Sequence, residues 1–478
     1  MLLLIISANW VFIFVCWEGV GIVSYLLINF WYTRRDSNLS AMQAIIVNRV
    51  GDWAFLLAIF GINLVIGNLD FLSSSCLFNV LSISNYSIYY INIVFLIAAA
   101  AKSAQLILHT WLPSAMAAPT PISSLLHAAT MVTLGVYLLI RSSILLNGLS
   151  NILLIIFLIG TLTSLIAGIT GFSQFDMKKV IAYSTSSQIG YMVTACGAQE
   201  YCIAFNHLIN HAFFKAFLFI NAGSIIHYLK DEQDFRNIGV LIKSNPYLHF
   251  AYLLGTLSLV AMPYYSGFYS KDLILENLAH TWTLALSGRI VYYLQLLTAV
   301  ITTIYCFRSY FYIFLNQTSS SYIHIKETPI LASILLSVPT LIAGYLFCDL
   351  FVGAGTSYWN GTSMIIFENE VEEDELLVIS LLILFIGITI GYILSIQTQI
   401  TRNPFVFDEV YNNLTVSYLF KEAKLMNQYI DKGVIEQLGY RSLNRSLNYL
   451  RYNLIDTGFL PQYLTSLLFA IVILVFLK

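Results

Sequence analysis

The sequence predicts an all-α polytopic membrane protein, and three observations carry that prediction. Apolar stretches of about 20 residues recur from one end to the other, each long enough to cross a bilayer as a helix. Of 478 residues, 58% are hydrophobic and 10% charged, against about 25% charged in a soluble domain; mean hydropathy is +0.77. The period-two patterning of a membrane barrel is missing, and in lipid a single segment satisfies its own backbone groups only as a helix.

In chain order, spans are expected near 8–32, 43–67, 89–112, 121–141, 151–172, 179–198, 201–229, 247–281, 287–313, 329–352, 376–396 and 461–477. The N-terminal "MLLLIISANW" runs directly into the first span, with no cleavable signal. The stretch at 247–281 is interrupted at "MPYYSG", where Pro263 and Gly267 break the helix. The connections sort by charge. One side receives Arg34, Arg35, Lys178, Lys179, Lys230, Arg236, Lys243 and Lys326; the other receives Arg141, Arg289 and the acidic run "ENEVEEDE" at 368–375. Lys/Arg-rich loops stay on the side of synthesis, so the first side is cytoplasm or mitochondrial matrix. The net charge of -2 points to no partner, and no nucleic acid is expected. The cysteines at 16, 76, 196, 202, 306 and 348 form no CxxC pair, which argues against an iron–sulfur or structural zinc site.

This reading divides the chain into a transmembrane bundle of about 11 spans at 1–397, a lateral amphipathic helix at 398–457 and a terminal anchoring span at 458–478. The middle segment is too polar to span but contains few helix breakers, so it is expected to lie along the basic face; a plain linker is the simpler alternative.

Ionisable residues inside the spans are the candidate functional groups, because an ammonium or carboxylate at that depth costs several kcal/mol, roughly 2.5–3.5 on insertion scales. Glu18 sits mid-helix in "FVCWEGVGIVSYLLINFW" and is expected to be protonated or paired with a cation. Asp52 follows Arg49 by one helical turn, so the two are placed to pair locally, as a structural or a functional pair. Lys102 lies in "AAAAKSAQLILHTWLP", and Pro113, Pro119 and Pro121 downstream suggest an interrupted helix. His127 opens the next span; a lone histidine there is more often a hydrogen-bonded core residue. In "FNHLINHAFFKAFLF", His207, His211 and Lys215 recur every four residues and share one helix face. That face suits a wet polar file, with haem or metal ligation as the minority reading. Lys271 and Asp272 lie just past the second break, repeating the design of a lysine on an interrupted helix. Such a series suits proton transfer: burial lowers a lysine's pKa and a nearby carboxylate raises it again, so moving either switches the lysine's state. With no phosphate loop, dinucleotide fingerprint or metal box, the chain is expected neither to bind nucleotide nor to carry redox chemistry itself.

The motifs "WEGVGIVSYLLINFWYTR", "NRVGDW", "AKSAQLILHTWLPSAMAAPTPISSLLHAATMVTLGVYLLIR", "KKVIAYSTSSQIGYM", "HLINHAFFKAFLF" and "SGFYSKD" resemble the antiporter-like subunits of respiratory complex I, the NADH–ubiquinone oxidoreductase. The resemblance covers nearly the whole chain in consistent order. Lys271 in "SKD" and the amphipathic arm with its terminal span resemble the chain-5 branch of that family. The resemblance implies a proton-translocating subunit at the distal end of the membrane arm, multi-pass in the mitochondrial inner membrane or a bacterial plasma membrane. It implies that Glu18 and Lys102 serve a first half-channel, that His127 bridges, that His207, His211 and Lys215 form a central axis, and that Lys271 serves a second half-channel. FMN, iron–sulfur clusters and ubiquinone would belong to other subunits; the partners would be a neighbouring antiporter-like subunit, other membrane-arm subunits and lipids. About four helices precede "WEGVG" in the family, so a separate fragment supplying three or four helices is expected beside residues 1–60. The alternatives are a subunit of a multi-subunit cation/proton antiporter and a non-pumping structural subunit.

Overall fold

The computed structural model describes residues 1–71, 85–146, 149–239, 241–282, 286–315, 330–351, 373–396, 416–452 and 459–476. Among them the regular structure is helical, with two isolated β-bridges and no strand. Of the acidic run at 368–375, residues 368–372 lie outside the described residues, as do Cys76 and Lys326. The chain forms two compact units, Met1–Phe405 and Val406–Lys478.

The first unit is a helical bundle: α1 (Trp10–Ile28), α2 (Arg35–Ile66), α3 (Asn85–Lys102), α4 (Thr133–Arg141), α5 (Ser150–Ser173), α6 (Met177–Gly197), α7 (Tyr201–Tyr228), α8 (Pro246–Val260), α9 (Leu273–Trp282), α10 (Leu286–Phe314), α11 (Ile330–Phe351) and α12 (Glu373–Ile396). Seven helices among the described residues are long and apolar enough to cross a membrane. α3, α4 and α8 are shorter, and α6 carries a row of serines, threonines and glutamine. The elements that fall short of a plain span are therefore the interrupted and the polar ones. The chain is a multi-pass membrane protein.

Both interruptions are present. After Lys102 the chain leaves helical geometry until Trp111, with Ala104 and Ile107 at φ of 51° and 79°. After Val260 it does so again, with Ala261 and Tyr264 at 70° and 69°. Each break thus holds two non-glycine residues, three apart, in the left-handed region, a costly conformation that surrounding packing must impose. The first break begins before any proline: Pro113 lies inside the turn Trp111–Ser114, while Pro119 and Pro121 start the next helical turn. Prolines therefore do not cause that break, as their positions in the sequence suggested. Instead the Trp111 indole donates to the Ala101 carbonyl at 3.0 Å, replacing a helical partner. In the second break Gly267 is required, since a Cβ there would lie 1.9 Å from the Ser258 carbonyl oxygen.

Small residues set a close crossing of α5 and α6, as is usual between helices in lipid. A Cβ on Gly190 of α6 would meet the Ser164 nitrogen at 2.7 Å and the Gly160 oxygen at 2.8 Å; one on Gly160 of α5 would meet the Thr194 nitrogen at 2.6 Å. The loop before α6 is tied to the loop after α7 by an Asp176–Asp234 bridge and the Met177 N–H to Gln233 oxygen bond of 3.0 Å. These contacts hold α5, α6 and α7 as one block beneath the candidate site.

The second unit contains helical segments Ser417–Met426, Asn427–Ile435, Glu436–Leu438 and Tyr440–Leu450, interrupted at Gly439, and the apolar helix Leu460–Phe476. None of the residues in these helices is buried. Leu443, Leu447 and Leu450 recur on one face with Tyr440, the pattern of a surface-lying helix.

The Gly160–Gly190 crossing gives a direct test. Gly190→Val should destabilise the protein by about 1–3 kcal/mol, the usual cost of overpacking, and lower its thermal midpoint in detergent. Gly19→Ala, inside α1 where an added Cβ meets nothing within 4 Å, should not lower the midpoint and should raise it slightly, since alanine is favoured over glycine in a helix by about 0.5–1 kcal/mol.

Candidate proton-transfer site

The first cluster joins α1, α2 and α3. Glu18 projects from α1 to Arg49 of α2, whose Nη1 donates to both carboxylate oxygens at 2.7 Å. One turn along α2, Asp52 reaches Lys102 of α3 at 3.5 Å and accepts 2.8 Å from the Trp17 indole. Arg49 and Asp52 therefore bond to other helices rather than to each other: Arg49 to α1, Asp52 to both α1 and α3. The expectation that Glu18 pairs with a cation holds in this geometry. The two pairs differ in environment: Arg49 is half exposed, whereas Lys102 and Asp52 are buried. Lys102 is also the last residue of α3, where unpaired carbonyls and the negative end of the helix dipole favour a cation. Its ammonium lies 5.4 Å from the Trp17 ring centre. Gly21 leaves the space, since a Cβ there would sit 3.0 Å from Nζ.

The second cluster lies on α7. His207 bonds through Nδ1 to Ser270 Oγ at 3.0 Å and through Nε2 to Gln188 Oε1 at 3.1 Å. Four residues on, the His211 ring sits 6.2 Å from that of His207. Lys215 donates to Ser184 Oγ at 2.6 Å. The file expected from the four-residue spacing thus forms, and its partners come from α6, where Ser184 and Gln188 are themselves four apart. Both ring nitrogens of His211 lack a hydrogen-bond partner among the described residues, as do both of His127. His127 lies fully buried in the π-helical turn Ser124–Thr130, its ring 6.1 Å from that of Trp111. No hydrogen bond joins His127 directly to another predicted site residue among the described residues.

The third cluster surrounds the second break. Lys271 sits in the π-helical turn Phe268–Asp272, donates to Thr302 Oγ1 of α10 at 3.1 Å, and lies 5.6 Å from the Tyr191 ring centre. Asp272 is buried with its Oδ2 unpartnered among the described residues. Ser270, which bonds His207, directly precedes Lys271, so the second and third clusters adjoin. The second break does not copy the first in detail: Lys102 precedes its break, whereas Lys271 follows.

Several contributing residues escape a search for charges: Trp17, Ser184, Gln188, Tyr191 and Thr302. A signal was nonetheless present. Ser184, Gln188 and Tyr191 recur at one face of α6, and Gln295, Thr298 and Thr302 at one face of α10. The two faces meet, with the Tyr191 hydroxyl donating to the Gln295 carbonyl at 2.8 Å and bonded to Thr298. Ser164 of α5 donates to Gln295 Oε1 at 3.2 Å, and neighbouring Thr163 donates to Gln105 in the first break at 2.7 Å. No group of three or more His, Cys, Asp or Glu placed to hold a metal occurs among the described residues. The arrangement can hold and pass protons: buried amines, imidazoles and hydroxyls follow one another, and each can donate or accept.

Residues 7–302 match the family model described as NADH:quinone oxidoreductase/Mrp antiporter, transmembrane. The chain is 41% identical to NADH-ubiquinone oxidoreductase chain 5 of Rhizopus stolonifer, over 97% of this chain and 75% of the relative. It is 40% identical to that of Acanthamoeba castellanii, over 97% and 74%, and 37% identical to that of Marchantia polymorpha, over 99% and 77%. Among solved structures, a chain of the Mrp complex from Dietzia sp. DQ12-45-1b shares the fold at a TM-score of 0.70 and 23% identity, covering 99% of this chain and 50% of that one. With that likeness running nearly end to end, this chain belongs to the NADH:quinone oxidoreductase/Mrp antiporter transmembrane family.

Proposed function

We propose that the chain is the chain-5 subunit of a complex I membrane arm in the mitochondrial inner membrane, translocating protons in step with NADH:ubiquinone oxidoreduction carried out by other subunits. One observation carries the reading: three lysines, Lys102, Lys215 and Lys271, are 0%, 0% and 1% exposed in one bundle, on or between two interrupted helices. Buried lysines in a membrane protein are expensive, and a carrier role explains the expense.

In this reading Glu18, Arg49, Asp52 and Lys102 form an adjustable charge pair of pairs. A change in the Lys102–Asp52 separation changes whether ammonium or amine is favoured, because a carboxylate stabilises a buried cation only at short range. The proton passes by way of His127 to the α7 file of His207, His211 and Lys215, where His211, with both ring nitrogens unpartnered among the described residues, exchanges protons with water and His207 is held by Ser270 and Gln188. Ser270 relays between His207 and Lys271, with Asp272 beside it. The partners are neighbouring membrane-arm subunits and lipids, and a separate polypeptide packs against residues 1–60. The 398–457 segment lies as an arm against those neighbours, anchored by 458–478. The likeness to an Mrp complex chain favours a second reading, a cation/proton antiporter subunit.

Lys102→Met keeps length and apolar packing but removes the titratable amine. It should slow proton passage through this chain by about a hundredfold or more, the scale a positioned acid–base group supplies, while the complex still assembles. Proton pumping and NADH:quinone turnover in reconstituted vesicles measure this; undiminished protons per NADH would refute the relay. Sodium-dependent proton exchange without any NADH dependence would instead support the antiporter reading.

The two charge pairs should also differ in stability. Asp52→Asn strands a buried ammonium and should cost about 3–5 kcal/mol, whereas Arg49→Gln breaks a partly exposed pair worth about 0–1 kcal/mol. Thermal midpoints of the two purified variants, side by side, check the order.

A further inference from the structure

A cavity of about 640 Å³ lies where α1 and α7 finish and α2 and α6 begin, on the side of the bundle that carries the basic loops. None of the proposed proton carriers lines it. Its charged lining consists of Arg34, Lys178 and Asp231, with His227 and Trp31 alongside. Lys178 is 6% exposed. Its ammonium gives one hydrogen bond, 3.2 Å to the Ala118 carbonyl, and so retains further donors. Arg34 is exposed, its guanidinium 5.2 Å from the Trp31 ring centre, which orients it. The loop wall exists because α7 has a glycine there: a Cβ on Gly223 would lie 2.5 Å from Thr120 Oγ1.

We infer that this cavity binds a singly charged phosphate group, supplied by the phosphodiester headgroup of an anionic phospholipid or by free inorganic phosphate. Two cations against one carboxylate leave one net positive charge, matched to one phosphate negative charge. The guanidinium fork and the ammonium are the two side chains best suited to phosphate oxygens. The site lies at helix ends, where headgroups lie, and basic pockets between transmembrane helices on the matrix or cytoplasmic side suit such headgroups. Ile220 and Ala332 add an apolar wall, which suits the first methylenes of an acyl chain.

The test uses the assembled, detergent-purified complex, stripped of loosely held lipid and exposed to a photoreactive phosphatidylglycerol, with adducts mapped by peptide mass spectrometry. Adducts are expected on the segments around Trp31–Arg34 and Ala117–Pro121. Arg34→Gln and Lys178→Met should each lower labelling by about tenfold, the loss of one charge-assisted hydrogen bond. Lys178→Arg should retain it, and Asp231→Asn, which removes the opposing charge, should raise it. Arg34→Gln changes an exposed side chain and carries the test if Lys178→Met fails to assemble. Unlabelled phosphatidylglycerol competing where inorganic phosphate does not identifies the lipid source; competition by inorganic phosphate identifies the soluble one. Equal labelling of wild type and Arg34→Gln, or equal labelling by an uncharged photoreactive diacylglycerol, would overturn the inference. The readout is binding, so it stands apart from whether the chain pumps.

Discussion

Holding an amine away from water is the constraint on which this structure turns. An ammonium in hydrocarbon is unstable unless its charge is answered nearby, and each buried lysine is answered in a different way. Lys102 has the Asp52 carboxylate at 3.5 Å and the carbonyl end of its own helix. Lys215 has a serine hydroxyl at 2.6 Å. Lys271 has a threonine hydroxyl at 3.1 Å and an aromatic face. None is locked into a bidentate pair of the kind Arg49 makes with Glu18. A group held by single, exchangeable partners can change its protonation state, whereas a carboxylate whose two oxygens share one guanidinium nitrogen is held in its charged form.

The interruptions follow from the same constraint. A continuous helix offers its carbonyls only to itself, so a polar group placed mid-span meets no backbone partner. Breaking α3 at Lys102 puts the carbonyl end of that helix beside its ammonium, and the chain breaks again before Lys271. The cost appears as four residues in the left-handed region, Ala104, Ile107, Ala261 and Tyr264. Tight packing sustains it: the Trp111 indole caps Ala101, and Gly267 lets the chain pass against Ser258.

Polar faces on α6 and α10 complete the arrangement. Because Ser184, Gln188 and Tyr191 share one face of α6, the same helix that partners His207 and Lys215 also presents its tyrosine ring to Lys271. On α5, which crosses α6 at Gly160 and Gly190, Thr163 bonds Gln105 in the first break and Ser164 bonds Gln295 of α10. Side-chain hydrogen bonds thus run from one break toward the other across three helices, which fixes the breaks relative to each other without using a charge.

Hydropathy determined the helical membrane class, because lipid leaves a chain few ways to satisfy its backbone, and proline and glycine punctuation pointed to two interruptions. The spacing of His207, His211 and Lys215 likewise determined that they share a face, since helix geometry is local. Which groups pair was not legible. Arg49 and Asp52, one turn apart, looked like partners; tertiary packing gave Arg49 to Glu18 of α1 and Asp52 to Trp17 of α1 and Lys102 of α3, because both neighbouring helices bring polar groups against α2 there. The downstream prolines looked like the cause of the first break; packing placed it earlier, at Ser103. The neutral residues Trp17, Gln188, Tyr191 and Thr302 carry no charge signal in the sequence and became part of the site only when the fold set them against a buried lysine or histidine. Local periodicity fixes what each helix presents, and only the contact between helices decides what each presented group meets.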